Sequence, residues 1–272
     1  MSKEIMCTLG PASMNDRVLA RLEELGVSLF RINLSHTALA DLGSAIDYVQ
    51  SRTRVPLCLD TEGAQIRTST LVGGKALVQD HSLICVLREP VPGGPQGFNL
   101  YPPEVVDALE VGDFISIDFN KVLVQVIDLG PGCAVMRVLN GGEFGSNKAV
   151  TVERQIALPP LTEKDQAALK IGREKGVRHV ALSFARRGAD CDAIRCLASS
   201  ETFVIAKIEC RNALANLDEI AAKSDALLID RGDLSRELPI ERIPALQKWI
   251  IRRSKELGRK VYVATNLLES MV

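Results

Sequence analysis

A single arrangement recurs along this chain: a short apolar run, a polar turn, an amphipathic stretch, a glycine, and then the next apolar run. "EIMCTLG" leads into a helix expected over Asn15–Leu25 and stopped by Gly26, "SLFRINLS" leads into one over Ala38–Ser51, and "VPLCLDT" follows. After residue 160 the arrangement resumes with "HVALSFA", "FVIAKIE", "ALLIDRG" and "VYVATN". Two helix ends are well signalled: Thr162 followed by Asp165 reads as a capping box opening "EKDQAALKIGREKG", and Gly258 closes "ALQKWIIRRSKELG". Strands alternating with helices imply a parallel sheet, either closed as a (β/α) barrel or open and doubly wound.

Residues 70–157 break that rhythm. "GGKALVQDHSLICVLREPVPGGPQG" and "VGDFISIDFNKVLVQVIDLGPGCAVMRVLNGG" hold short β-type runs between Gly, Pro, Asn and Asp, with little helical period beyond a turn near Pro103–Leu109. They read as a small β-barrel domain inserted into an α/β domain made of residues 1–69 and 158–272. A long structureless loop is the poorer account, because runs of this density can build a core of their own.

The chain is large enough for both parts: 272 residues, 46% hydrophobic and 25% charged. Thirty-three basic and 34 acidic residues leave a net charge of −1, so neither nucleic acid nor an anionic membrane is called for, and any basic site must be local. The seven cysteines are scattered, with no C-x-x-C pair and no zinc-ligand spacing; Cys7 and Cys58, in strand-like apolar runs, suit small buried hydrophobes in a reducing compartment. The start "MSKEIMCTLG" lacks the apolar core of a secretory signal, and no run of about 18 apolar residues could span a bilayer. A cytoplasmic location is expected.

Polar residues collect where these strands end. Asn33 and Ser35 close the second, Asp60 and Thr61 the third, Lys207 and Glu209 the fifth; Asp233 follows the sixth and Thr265 ends the seventh. In a barrel these ends converge on one mouth, whereas an open sheet gathers only those near its switch point, so the convergence favours a TIM (β/α) barrel. Alternation along "VIAKIECRNA" turns Lys207 and Glu209 the same way and Val204, Ala206 and Ile208 the other. An isolated Lys–Glu pair at this spacing would be an intrastrand salt bridge. With Asp233 at the same mouth, Glu209 and Asp233 instead suit Mg²⁺ or Mn²⁺, and Lys207 could neutralise a transferring group or an enolate oxygen.

"CTLGPAS", "RINLSH", "LDTEGAQIRT", "LPPLTEKD", "AKIE", "RGDL" and "VATNLLESM" together resemble the successive signatures of the pyruvate kinase family, from residue 5 to the last residue, and "VLNGGEFGSNKAV" resembles part of its inserted B domain. The resemblance implies phosphoryl transfer between phosphoenolpyruvate and ADP with Mg²⁺ (or Mn²⁺) and K⁺. It implies that Glu209 and Asp233 hold the divalent cation, that Lys207 stabilises the moving phosphoryl, and that Arg31 and Arg67 bind phosphate oxygens. Asn33, Ser35, Asp60 and Thr61 would form the K⁺ site. Thr265, Asp233 and the Gly232 backbone would meet the pyruvate portion, and His36 and Lys148 would lie toward the nucleotide. Planar guanidinium forks suit phosphate, and carboxamide, hydroxyl and carboxylate oxygens suit hard cations.

Several positions depart from that family. Glu62 stands where it has Lys and Ala64 where it has Pro, and this exchange of charge is expected to weaken polyanion binding. Asp230 replaces Ala before "RGD", Ser235 replaces Gly, Cys210 replaces Asn, and Phe119 stands where a carboxylate is usual. The chain also stops at Val272, before the eighth barrel unit and the C-terminal domain. The barrel is therefore expected to be incomplete at that end, with a further segment or a homo-oligomeric partner closing it. Two alternatives remain open: a metal-dependent pyruvate or phosphoenolpyruvate enolate enzyme of the lyase or aldolase type, which Glu62 and Phe119 favour, and a catalytically weak ligand-binding module.

Overall fold

The computed structural model describes residues 3–118 and 121–264, in two compact units: one made of the chain up to Ala64 and from Pro159 onward, the other of Gln65–Leu158. In the first, seven parallel strands follow one another in chain order: β1 (Ile5–Leu9), β2 (Val27–Asn33), β3 (Leu57–Asp60), β4 (His179–Leu182), β5 (Phe203–Ile208), β6 (Ala226–Asp230) and β7 (Lys260–Ala264). Helices α1 (Asp16–Glu24), α2 (Leu39–Gln50), α3 (Glu163–Glu174), α4 (Gly188–Leu197), α5 (Arg211–Ala215), α6 (Leu217–Lys223), α7 (Arg231–Glu237) and α8 (Ile243–Glu256) occur between them in the chain.

Alternation along the strands sorts the side chains into two layers. Leu29, Cys58, Ala181, Ile205, Ala226 and Leu228 form one cluster with Met6, Phe203, Tyr262 and Ala264, so all seven strands contribute to one apolar interior. An open doubly wound sheet has no such layer, and this cluster decides for the barrel. Residues of opposite parity, Val204, Ala206 and Ile208 among them, pack with the helices, as does Leu59. Burial on both faces explains why β3 and β5 read as nearly unbroken apolar runs.

The caps set where the helices begin and end. Asn15 accepts from the Val18 amide to open α1, and Gly26 leaves it at φ +84°. Thr162 and Asp165 exchange reciprocal hydrogen bonds at the start of α3. The fully buried Asp165 also accepts from the Glu62 amide at 2.7 Å and the Gly63 amide at 3.1 Å, fixing the turn that follows β3. Gly63 sits in that turn at φ +73°, where a Cβ would stand 2.6 Å from the Ser183 carbonyl oxygen.

Among the described residues no backbone ladder joins β1 to β7. The Glu4 carboxylate instead bridges from the start of β1 to Lys260 Nζ at 2.5 Å and Tyr262 Oη at 2.8 Å on β7.

The second unit is all β apart from short turns. Eight strands, among them Phe114–Ile117, Val122–Leu129 and Cys133–Asn140, form one sheet, and Lys75–Val78 pairs separately with Gly142–Gly145. Alternate residues of Val122–Leu129 turn inward on a core that includes Phe98, Val124, Val126, Met136 and Val138.

Two outcomes follow from these contacts. Gly63→Ala meets both a left-handed backbone and a backbone oxygen, whereas Gly176, at φ +70°, has open space around it. Gly63→Ala should therefore lose about 2 kcal/mol or more and Gly176→Ala about half of that, read from denaturant midpoints. Hydrogen bonds from Lys260 and Tyr262 hold the Glu4 carboxyl below its ordinary value of 4.5. A depressed carboxyl contributes stability above its unfolded pKa and loses it as pH falls through the folded one. Glu4→Gln should thus lower the melting temperature at pH 7, and its gap to the parent should narrow as pH falls below the ordinary glutamate range.

Candidate functional site at the carboxyl ends of the strands

The inward-facing row of each strand continues beyond the apolar layer as polar groups. Leu29 is followed at the same parity by Arg31 and Asn33, Cys58 by Asp60, Ala181 by Ser183, Ile205 by Lys207 and Glu209, and Leu228 by Asp230. The barrel interior therefore changes from hydrocarbon to charge within one strand step, and "AKIE" is the segment of β5 that crosses the change.

Lys207 is the centre of this layer. Its Nζ lies 2.8 Å from Glu209 Oε1 and 3.3 Å from Asp60 Oδ1, and donates to Ser183 Oγ at 2.9 Å. Burial opposes its charge, but Glu209 and Asp60 outweigh burial and hold the ammonium protonated well beyond the usual lysine range. Asp60 also faces Arg31 Nη1 at 3.5 Å, and Arg31 Nε donates to Thr8 Oγ1 at 2.8 Å on β1. One charged network thus links the ends of β1, β2, β3, β4 and β5.

Glu209 lies immediately after β5 with its side chain fully buried. Its Oε2 accepts from the Phe184 amide at 2.7 Å, made possible by Phe184 at φ +52°. Burial first, and then the neighbouring Asp233 and Asp230, push the carboxyl up to about 7 against the pull of Lys207. One oxygen from each of Glu209, Asp230 and Asp233 lies within 4.8 Å of the others. An all-oxygen, all-carboxylate donor set fits a hard divalent cation such as Mg²⁺ or Mn²⁺. Asp233, in the first turn of α7, is steadied by Arg236 Nη1 at 3.0 Å.

The remaining expected residues divide by location. Asn33 Oδ1 accepts from the Ser35 amide and so caps the turn Leu34–His36, which holds Ser35 half-buried and His36 exposed. Asn33 is in register with Asp60 across β2 and β3, and the buried Thr61 accepts from the Ser183 amide at 2.9 Å. The Gly232 amide is taken by Asp230 Oδ1 at 3.1 Å. Arg67 and Lys148 belong to the second unit, where Arg67 donates to the Asn147 carbonyl and to Gln65 Oε1, and Lys148 is exposed. Thr265 and Phe119 lie outside the described residues.

Glu62 is ion-paired: Lys164 Nζ lies 2.8 Å from its Oε1 and donates to the Leu34 carbonyl oxygen. The side chain is neutralised by the first turn of α3, which the motif "LTEKD" supplies. Sequence reading also missed Ser183, Arg236 and Lys164. The signal for Ser183 was parity along β4; nothing local marked the other two.

The chain matches the family model described as the pyruvate kinase barrel domain over residues 1–272. It is 36% identical over 275 residues to a pyruvate kinase of Methylorubrum extorquens, covering 99% of this chain and 58% of that protein. It is 35% identical over 280 residues to a pyruvate kinase of Geobacillus stearothermophilus, and 34% identical to one of Staphylococcus saprophyticus, in each case covering 98% of this chain and 48% of the relative. The chain spans about half the length of the curated relatives it matches. With a family model matched along its whole length and a charged mouth on a parallel barrel, the chain belongs to the pyruvate kinase family.

Proposed function

We propose that this chain carries the phosphoryl-transfer chemistry of its family, between phosphoenolpyruvate and ADP, with Mg²⁺ or Mn²⁺ and K⁺ as cofactors. The observation that carries the reading is the buried Lys207 ammonium beside the buried Glu209 carboxylate, at the same mouth as Asp233. An ammonium clamped by Glu209, Asp60 and Ser183 needs no reorganisation to face negative charge developing on a transferring group, which makes it effective in a water-poor pocket. Arg31, with its Nε anchored on Thr8, has a planar fork suited to phosphate oxygens.

Glu209 and Asp233 would hold the divalent cation, which when bound neutralises charge on the phosphoryl oxygens. Asn33, Ser35, Asp60 and Thr61 supply the carboxamide, hydroxyl and carboxylate oxygens that suit K⁺. Arg67, Thr265, the Gly232 backbone, His36 and Lys148 keep the roles that the family pattern implies. The residues of the second unit would serve as the counterpart of the B domain. No helix among the described residues is long and apolar enough to cross a membrane, which accords with a cytoplasmic enzyme.

The lyase alternative draws on Glu62, which is ion-paired with Lys164, and on Phe119, which lies outside the described residues. A coupled assay for pyruvate formed from phosphoenolpyruvate, with and without ADP in Mg²⁺ and K⁺, separates the two. ADP-dependent turnover is expected, and Lys207→Ala should reduce it about 10³-fold or more. Turnover without ADP, or near-normal turnover in Lys207→Ala, would overturn the reading. Glu209→Gln should weaken Mn²⁺ binding measured by titration.

A further inference from the structure

The carboxylate of Asp230 has a place in the fold that the proposed chemistry does not use. It ends β6 and caps α7, with Oδ1 accepting from the Gly232 amide at 3.1 Å and the Asp233 amide at 3.4 Å. This cap holds the carboxylate in one position, within 4.8 Å of Glu209 and Asp233 oxygens. Among the described residues its hydrogen-bond partners are these two amides alone, whereas Glu209 faces Lys207 and Asp233 faces Arg236. Three carboxylates this close repel one another unless a cation lies among them.

A second observation points to the same ligand. Glu209 is completely enclosed, and among the described residues its Oε1 meets the Lys207 ammonium alone, 2.8 Å away. A carboxylate oxygen with a single donor beside it retains coordinating capacity.

We propose that Asp230 is a third carboxylate ligand of the divalent cation, held ready by the α7 amides, so that the protein binds this cation without help from an anionic substrate. The inference rests on the reading of Glu209 and Asp233 as cation holders and adds a residue peculiar to this chain, where the family resemblance has alanine. With Lys207 beside Glu209 and Arg236 beside Asp233, the third carboxylate lowers the net charge of the loaded site by one. That extra charge strengthens the hold on the cation and repels an incoming carboxylate or phosphate. Oδ1 also occupies the Gly232 and Asp233 amides, so an anionic ligand must displace it to use them. The site therefore favours the free cation at the expense of phosphoenolpyruvate.

The test is Mn²⁺ titration of the full chain without substrate, reading free Mn²⁺ by its paramagnetic resonance, for the parent, Asp230→Asn, Asp230→Ala and Glu209→Gln. Asparagine keeps an oxygen for the α7 amides and removes the charge, so it separates ligation from capping; thermal melts check that it folds. Asp230→Asn should weaken Mn²⁺ about tenfold or more, and should tighten phosphoenolpyruvate binding to the Mn²⁺-saturated protein. Unchanged Mn²⁺ affinity in Asp230→Asn, with affinity lost in Glu209→Gln, would overturn the role of Asp230 and leave the two-carboxylate site standing. Affinity that depends on neither residue would overturn both.

Discussion

A lysine ammonium buried at the mouth of a barrel is unstable unless anions surround it, and the arrangement of the strand ends follows from that requirement. Lys207 is satisfied from β3 by Asp60, from the end of β4 by Ser183 and from its own strand by Glu209. Asp60 in turn draws in Arg31, which is tied to Thr8 on β1. Such a network contributes little net stability, because desolvating the ions offsets their attraction, and well-packed hydrocarbon would serve the fold as well. Its retention at the mouth makes sense as chemistry: each charged group is oriented before any ligand arrives.

The same economy operates in the backbone. Asp165 is at once the reciprocal cap of α3 and the acceptor for the Glu62 and Gly63 amides, so the turn after β3 is fixed by the helix that follows the inserted unit in sequence. Lys164, one residue earlier, neutralises Glu62. A carboxylate that looks unpartnered in the linear sequence meets its counterion about a hundred positions away. At Asp230 the departure instead adds a carboxylate to a cluster that already holds two.

The second unit is organised by a different physics. Alternation over Val122–Leu129 and a core with Phe98, Phe144 and Met136 make it an independent compact body, which explains how it can interrupt the β/α rhythm without disturbing the strand order around it.

The sequence by itself determined the alternation of strands and helices, the capping box at Thr162 and Asp165, the interruption by a β-rich segment and the parity that turns Lys207 and Glu209 the same way. These depend on periodicity and local hydrogen bonding, which act over a few residues and are written in neighbouring letters. Only the tertiary structure decided that one residue row from all seven strands packs into a single interior, that Ser183 and Asp60 share the Lys207 ammonium, that Lys164 neutralises Glu62, and that Asp230 joins Glu209 and Asp233. Those are meetings between residues up to more than a hundred positions apart, and their energies come from burial and from Coulomb interactions across strand ends. No local pattern encodes such a distance, so it becomes visible only once the seven strands have come together.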